Sequence, residues 1–267
     1  MFIVDSHCHA GINWFEPVEL ILHQMNLNGV EKAVLIQHGG NYDNRYLIEC
    51  VKRFPGRFAA VIAVDPTQPD SPATLESLAK QEGVAGLRLR PTDRSPGSDP
   101  LAVWRKAAEV GLPVSCFAIN AEHVATQDFR ALVESVPQCT IVLEHLGGLY
   151  RSVSPESAKP PFTAYRTVLT LAGHPNLYMK IGGLGEFCAR PPRLQPQFGF
   201  VDIPPLIDMA LEAFGPNRLM WGSDFPHEVS RWPHSQKLLS EQLAEVPEDE
   251  KRKIVSENVV KFFHLDL

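Results

Sequence analysis

Two histidines one residue apart, His7 and His9, close the first apolar run of the chain. In a β-strand, residues i and i+2 point to the same side, so these two imidazoles are expected to converge at the strand's carboxyl end. A His-x-His pair alone is weak evidence, because it is equally compatible with surface or core histidines. A second apolar run near the other end of the chain stops at Asp224 and is followed by His227. A carboxylate with two histidines is a metal-ligand or proton-transfer set.

Two further residues extend this candidate site. His145 directly follows a short apolar run, 140–144, and Lys180 is the single cation in the apolar run 177–181. We assign catalytic roles to Asp224, His145 and Lys180, and metal-ligand roles to His7, His9 and Asp224. For Lys180 the alternative is a salt-bridged or snorkelling side chain.

Arginines cluster where the same site is expected, although the chain carries a net charge of -6. Because guanidinium groups bind carboxylate or phosphate in bidentate fashion, they predict a small anionic substrate. Solvated loop charges are the alternative, so we expect Arg88 or Arg90 plus one loop arginine to bind it. The substrate-binding candidates are Arg88, Arg90, Arg94, Arg151 and His227, and the arginines further along the chain are Arg190 and Arg193.

The elements that must position these residues alternate between strands and helices. Short β-rich apolar runs recur roughly every 30 residues, separated by helical periodicity, which is typical of βα units. Eight units predict an α/β fold, a single (β/α)8 TIM barrel over residues 1–267, in which chemistry lies at the carboxyl ends of the strands. A doubly wound open sheet is the alternative, but no Gly-x-Gly-x-x-Gly follows the first strand. The predicted strands are 2–5, 32–37, 58–64, 85–89, 113–117, 140–144, 177–181 and 219–222, and a last helix is predicted at 248–263.

Three long segments with little regular pattern, 91–100, 150–161 and 184–203, each follow a predicted strand. They are expected to lie on the catalytic face, as lids or binding loops or as plain surface loops.

Composition narrows the class of protein. The acidic net charge argues against a nucleic-acid partner, and no apolar run is long enough to span a membrane. Five scattered cysteines suit a reducing compartment, and Met1 leads directly into a strand, so we expect no signal peptide and a cytoplasmic location. A homo-oligomer is compatible with the sequence.

In strand order, His7-x-His9, His145-Leu-Gly-Gly, Lys180 and Gly222-Ser-Asp224-Phe-Pro-His227 make the chain resemble the amidohydrolase superfamily. Within it the chain is similar to the amidohydrolase-2 group of 2-pyrone-4,6-dicarboxylate lactonases, sugar-acid lactonases and aminocarboxymuconate-semialdehyde decarboxylase-like enzymes. The resemblance implies a (β/α)8 barrel with His7 and His9 as ligands where a metal is present. It also implies that Asp224 is a ligand or general base and that His145 assists the substrate or the activated water.

At one position the chain differs from the metal-dependent members of the group that it resembles. In those members the fifth strand usually ends with a histidine that binds the metal. Here that position is Phe117, or, if the register differs, a nearby residue such as Asn120 or His123. One divalent metal, zinc or manganese, and metal-free catalysis therefore both stay open. Cys8 and Cys116 are expected to be small packing residues rather than ligands or nucleophiles.

We therefore expect a lactonase that opens a small carboxylated lactone by water attack, with Asp224 as general base. The alternative enzyme is a zinc-dependent nonoxidative decarboxylase of an aromatic or muconate-type acid. A barrel that only binds a ligand is a third reading, opposed by the cost of placing four ionisable groups at strand ends.

Overall fold

The eight predicted strands form one parallel sheet in a computed structural model that describes residues 1–149, 159–182, 204–226 and 243–266. The sheet order follows the chain order from the first strand to the eighth, with helices between successive strands. This architecture confirms the predicted (β/α)8 barrel. The strands are β1 (Ile3–Cys8), β2 (Val30–Ile36), β3 (Phe58–Ile62), β4 (Val84–Leu89), β5 (Val114–Cys116), β6 (Ile141–Leu143), β7 (Leu177–Ile181) and β8 (Leu219–Trp221).

The barrel closes where the end of β1 meets the segment after β8. Cys8 forms a parallel bridge with Phe225, the His9 amide donates to the Phe225 carbonyl at 2.8 Å, and the Asp224 amide donates to the His7 carbonyl at 2.8 Å. β1 also runs three residues further than predicted and so includes His7. The two ends of the chain that carry the candidate chemistry are therefore joined at one seam.

Helices cover the outside of the sheet and bury its outer face. An apolar cluster between the sheet and the helices, including Ile21, Trp104 and Phe129, forms the larger core. The helices within the described residues are Val18–Asn28, Arg45–Arg53, Ser71–Ala79, Ala102–Glu109, Gln127–Ser135, Thr163–Leu169 and Leu206–Phe214. None of the helices in the described part of the chain is long and apolar enough to cross a membrane.

The last helix differs from the regular helix predicted at 248–263. It consists of α-helical turns at Glu248–Arg252 and Asn258–Phe262 with a π-helical turn at Lys253–Glu257 between them. After this wider turn, the Asn258 amide donates to the carbonyls of Pro216 and Leu219 at 2.7 and 2.8 Å. The polar Asn258 is thereby satisfied although it is buried.

A second, smaller apolar cluster fills the barrel interior. Side chains of β1, β2, β3, β4, β6 and β8 pack there against the aromatic rings of Phe262 and Phe263 from the last helix. The Lys180 ammonium lies 5.3 Å from the Phe263 ring centroid. The interior is therefore a packed core with an aromatic floor, and the polar site is confined to the other end.

The turn after β6 holds four consecutive residues in the left-handed region. His145, Leu146, Gly147 and Gly148 have φ values of 51°, 53°, 75° and 101°. Such backbone is costly for residues with a side chain and persists only where the surroundings enforce it. A Cβ on Gly148 would lie 2.5 Å from the backbone carbon of Asn120, so the turn is also packed too tightly for any larger residue.

Gly148→Ala should lower the free energy of unfolding by at least about 3 kcal/mol, because it adds a backbone clash to a left-handed conformation. Gly97→Ala is the matched control, since Gly97 has φ 90° with nothing within 4 Å of its Cβ position, and it should cost about 1–2 kcal/mol. Urea denaturation measures both. Equal losses would show that the close approach to Asn120 contributes nothing.

Candidate active site

The structure brings His7, His9 and Asp224 together at the carboxyl end of the barrel. His7 Nε2 lies 3.2 Å from His9 Nε2 and 3.5 Å from Asp224 Oδ1, and His9 Nε2 lies 3.1 Å from the same oxygen. All three side chains are buried. Three potential ligand atoms therefore face one point, from the end of β1 and from the segments that follow β1 and β8.

The proton position on His9 is fixed by the backbone. Its Nδ1 lies 2.8 Å from the Ile36 carbonyl, which can only accept, so Nδ1 carries the hydrogen. Burial lowers the pKa of His9, with the Asp224 carboxylate opposing that effect. A neutral His9 then presents an Nε2 lone pair to the Asp224 carboxylate, and two acceptors at this distance need a proton or a cation between them. The Phe15 ring stacks on the other face of His9, with ring centroids 4.6 Å apart.

Lys180 approaches His7 from the opposite side. Its Nζ lies 3.2 Å from His7 Nδ1 and donates to Ser115 Oγ at 2.9 Å. Burial lowers the pKa of Lys180 to about 8, so the amine is mostly protonated at pH 7. Burial and the nearby Lys180 charge lower the pKa of His7 well below its ordinary value, which leaves that ring neutral. When the ammonium donates to Nδ1, the hydrogen of neutral His7 resides on Nε2 and points at His9.

Glu144 is a functional-site residue that the sequence reasoning missed. Arg88 Nε lies 3.2 Å from both carboxylate oxygens of Glu144, and Arg88 Nη2 donates to one of them at 2.6 Å. The Ser115 hydroxyl donates to the other oxygen at 2.6 Å. Burial raises the pKa of Glu144, but the charges of Arg88 and Lys180 overcome this and lower it to about 2. Its position as the one carboxylate in the apolar run before His145 was the available signal.

Asp5 is the second residue that was missed. It is fully buried, and its carboxylate accepts hydrogen bonds from the amides of His7 and Ser223, both at 2.9 Å, and from the Ser223 hydroxyl. Burial raises the pKa of Asp5 to about 7 despite these hydrogen bonds. Asp5, His7 and His9 share the two-residue period of β1, so this pattern could have indicated that they lie together.

His145 lies beside the histidine pair at the same mouth. Its ring centroid is 4.7 Å from that of His7, and its Nε2 is 3.7 Å from Glu144. Phe117, directly after β5, has its ring 6.2 Å from that of His145. The alternative His123 is exposed in a short 3-10 turn, Ala121–His123, and belongs to neither group of ligand atoms around His7.

The predicted substrate-binding arginines occupy different surroundings. Arg88 is buried, with its guanidinium bound to Glu144 and to the Gln37 carbonyl and stacked 4.3 Å from the Phe117 ring centroid. Arg90 is exposed in a cleft beside Arg88, whereas Arg94 donates to carbonyls of its own loop. Residues outside the described ranges are Arg151, Arg190, Arg193 and His227.

The three ligand atoms around His7 fit a divalent metal. Donors about 2.0–2.2 Å from one tetrahedral Zn²⁺ must lie roughly 3.3–3.6 Å from each other, close to the separations of His7 Nε2, His9 Nε2 and Asp224 Oδ1. A second group, His7, Glu144 and His145, also has ligand atoms in reach of one another. Arg88 and Lys180 already neutralise that second group, so the first group is the better metal site.

The cysteines of the described residues are packing residues. Cys8, Cys50, Cys116 and Cys139 are buried and unpaired, and burial raises the pKa of each thiol. Thiols held protonated in this way are poor nucleophiles and poor ligands. The structure therefore gives Cys8 and Cys116 the packing environment that was expected for them.

A family model described as "Amidohydrolase" matches residues 14–265. The chain belongs to this family. The relatives include a 4-sulfomuconolactone hydrolase from Hydrogenophaga intermedia, 26% identical over 261 residues that cover 92% of this chain and 79% of that protein. An L-fucono-1,5-lactonase from Burkholderia ambifaria is 28% identical over 215 residues, which cover 76% of this chain and 67% of that protein.

Solved amidohydrolase structures share the fold. A candidate 2-pyrone-4,6-dicarboxylic acid hydrolase from Pseudomonas putida has a TM-score of 0.75 at 22% identity, covering 100% of this chain and 98% of that one. An amidohydrolase from Burkholderia multivorans with bound zinc has a TM-score of 0.77 at 18% identity, covering 100% of both chains. At these identities the likeness establishes the barrel.

Glu144→Gln should destabilise the protein by roughly 3–5 kcal/mol, because it leaves Arg88 and Lys180 buried without their counter-charge. Glu134→Gln is the control, since that carboxylate is 56% exposed beside His174, and its loss should change the stability by less than about 0.5 kcal/mol. Urea denaturation of both variants checks this. Similar small losses would mean that Glu144 does not balance the buried cations.

Proposed function

We propose that the protein hydrolyses the ring ester of a small carboxylated lactone, with Asp224 as the general base. The observation that carries the proposal is the buried Asp224 carboxylate, which borders a small space at the barrel mouth together with His7, His145 and Lys180. A base, a cation and imidazole groups around one small space are the groups that hydrolysis of an ester requires. Both curated relatives described above are lactone hydrolases by name.

The reaction uses each of these groups in turn. Asp224 takes a proton from a water molecule as that water attacks the lactone carbonyl carbon. The Lys180 ammonium and His145 stabilise the negative charge that develops on the carbonyl oxygen. The ring C–O bond then breaks, and Asp224 returns its proton to the departing ring oxygen. The product carries a carboxylic acid and a hydroxyl or enol, and the acid ionises by releasing a proton to solvent. One water is consumed and Asp224 is regenerated.

Lys180 is suited to this electrostatic role by its surroundings. It is 2% exposed, so its charge acts in a site that excludes most water. Two of its three N–H groups are directed at His7 and Ser115, and its side chain still borders the space at the mouth. The Glu144 carboxylate favours the protonated amine, which offsets part of the cost of burial.

The substrate carboxylate is assigned to Arg90. This exposed guanidinium lines a cleft with Tyr42, Asp93 and Phe117, and Arg88 borders the same cleft. Arg88 is not assigned to the substrate carboxylate, because its guanidinium already donates to Glu144 and to the Gln37 carbonyl. A carboxylate held by Arg90 would align the ring before attack, and such positioning can supply several kcal/mol.

We also propose that His7, His9 and Asp224 bind one divalent metal, zinc or manganese. Bound there, it would supply Lewis-acid polarisation of the carbonyl or of the attacking water. The acceptor pair His9 Nε2 and Asp224 Oδ1, 3.1 Å apart, supports a cation at this place. Lys180 opposes it, because its charge lies 3.2 Å from His7 Nδ1.

The decarboxylase alternative is less well supported than hydrolysis. It requires a tightly held metal, and Phe117 stands where the metal-dependent members have a histidine ligand at the end of the fifth strand. Phe117 packs against the Arg88 guanidinium and cannot bind a metal. Lactone opening needs only the base, the cation and the bound anion.

Asp224→Asn should lower kcat for lactone hydrolysis by roughly 10²–10⁴-fold with the barrel intact, because the amide cannot accept the proton of the attacking water. The matched control is Asp99→Asn, which changes an exposed carboxylate paired with Arg105 and should leave kcat unchanged. Initial rates on a panel of carboxylated lactones, with circular dichroism as the test of folding, check this. Wild-type rates in Asp224→Asn would contradict the assignment of the base.

Lys180→Met should raise the affinity for Zn²⁺ or Mn²⁺ about tenfold or more, because it removes a buried positive charge next to His7. Lys80→Met is the control, since that side chain is 73% exposed and its charge is screened by solvent. Calorimetric titration of protein stripped with a chelator measures both affinities. An unchanged or weaker affinity in Lys180→Met would contradict the opposition between lysine and metal.

A further inference from the structure

We propose that Asp5 and Ser223 act together as positioning residues that hold the Asp224 carboxylate at its working place beside His7 and His9. This inference rests on the proposed function of Asp224. The two residues form what is here called the seam clasp, a set of hydrogen bonds across the junction of β1 and the segment after β8. Both side chains are fully buried.

The seam clasp ties one carboxylate to both sides of the junction. Asp5 Oδ1 accepts from the His7 amide on its own strand and from the Ser223 amide on the other side, each at 2.9 Å. Asp5 Oδ2 accepts from the Ser223 hydroxyl. Ser223, which precedes Asp224 in the chain, and His7, whose ring lies beside the Asp224 carboxylate, are therefore both bound to Asp5.

The Ser223 hydroxyl continues the clasp past Asp224. Its oxygen accepts from the Phe225 amide at 3.1 Å, so Ser223 binds the residue on the far side of Asp224 as well. Asp224 in between has φ 53°, a left-handed conformation that is unfavourable for a residue with a side chain. Hydrogen bonds on both flanks supply the constraint that keeps Asp224 in this conformation.

The position of Asp224 Oδ1 depends directly on this backbone conformation. If the segment relaxed to ordinary φ values, the carboxylate would leave its place 3.1 Å from His9 Nε2 and 3.5 Å from His7 Nε2. The seam leaves little room for another adjustment, because a Cβ on Gly222 would lie 2.7 Å from His7 Cβ. A misplacement of about 1 Å at a reacting group can cost on the order of 10²-fold in rate.

The seam clasp also closes the barrel, so a purely structural role must be separated from a positioning role. A structural role lowers stability and leaves kcat unchanged in the molecules that remain folded. A positioning role lowers kcat at saturating substrate with little change in KM, because the clasp does not touch the proposed substrate-binding cleft. If the clasp has a positioning role, its loss also exposes the amides of residues 223–225 to hydrogen exchange before the rest of the barrel opens.

The experiment compares Ser223→Ala, Ser223→Thr and Asp5→Asn with wild type. Ser223→Ala should lower kcat on the best carboxylated lactone by about 10- to 100-fold with KM changed less than threefold. Ser223→Thr keeps the hydroxyl and should recover most of the rate. Hydrogen exchange followed by mass spectrometry should show lost protection confined to the segment around Asp224. Ser71→Ala is the matched control, since Ser71 is a buried serine that donates to the Asp65 carbonyl and is not part of the seam clasp.

The outcomes separate the seam clasp from the proposed function. A wild-type protein inactive on every lactone would overturn the proposed function, whereas the exchange measurement would still show whether the clasp orders Asp224. Wild-type kcat and unchanged protection at 223–225 in Ser223→Ala would overturn the seam clasp with the lactonase assignment intact. If Ser223→Ala does not fold, Asp5→Asn supplies the same two measurements, because it changes the group that accepts from the Ser223 hydroxyl. Wild-type values in Asp5→Asn would overturn the inference.

Discussion

The candidate site depends on one balance of buried charge. An apolar barrel interior is a costly place for ions, and here it contains the cations Arg88 and Lys180 with the carboxylate of Glu144 between them. Arg88 binds Glu144 directly, and Lys180 is linked to it through the Ser115 hydroxyl. Because every member has a partner, the cluster can hold a charged lysine next to His7 without unfolding the strand ends. Loss of the Glu144 carboxylate would leave both cations buried without their shared counter-charge.

This balance also decides how protons are distributed among the histidines. A lysine that donates to His7 Nδ1 directs the remaining imidazole hydrogen at His9, whereas a metal at the same atoms needs that hydrogen on the lysine side. The same residues therefore support two arrangements that differ by the location of a proton and a cation. They exclude each other, because the Lys180 amine lies 3.2 Å from His7 Nδ1 and cannot donate to that nitrogen while it carries the hydrogen.

The sequence predicted the residues at strand ends better than those that support them. His7, His9, His145 and Asp224 each end an apolar run, and βα periodicity places strand ends on one face, so their convergence could be inferred. Asp5 lies inside β1 and Glu144 directly follows β6, and sequence alone does not show that such an acidic side chain has a buried partner across the barrel. Arg88 was predicted to bind substrate because its chemistry suits an anion.

The structure shows that the anion already bound to Arg88 is internal, and the substrate role of Arg88 stays a prediction. The positive φ values of His145 and Asp224 could not be predicted either, since neither residue type by itself indicates a left-handed conformation. The π-helical turn near the end of the chain has the same explanation, because apolar periodicity does not register one extra residue in a turn.

The packed interior and the aromatic rings of Phe262 and Phe263 close the barrel at the end opposite the candidate site. A substrate would therefore enter, and the product leave, at the same end of the barrel. Ring opening of a lactone adds a carboxylate, so a product leaves with more negative charge than the substrate had on arrival. If Arg90 binds the incoming carboxylate as proposed, it also binds the more negative product more strongly. The rate of turnover would then be a compromise between substrate binding and product release, and the proposed anchor Arg90 would influence both.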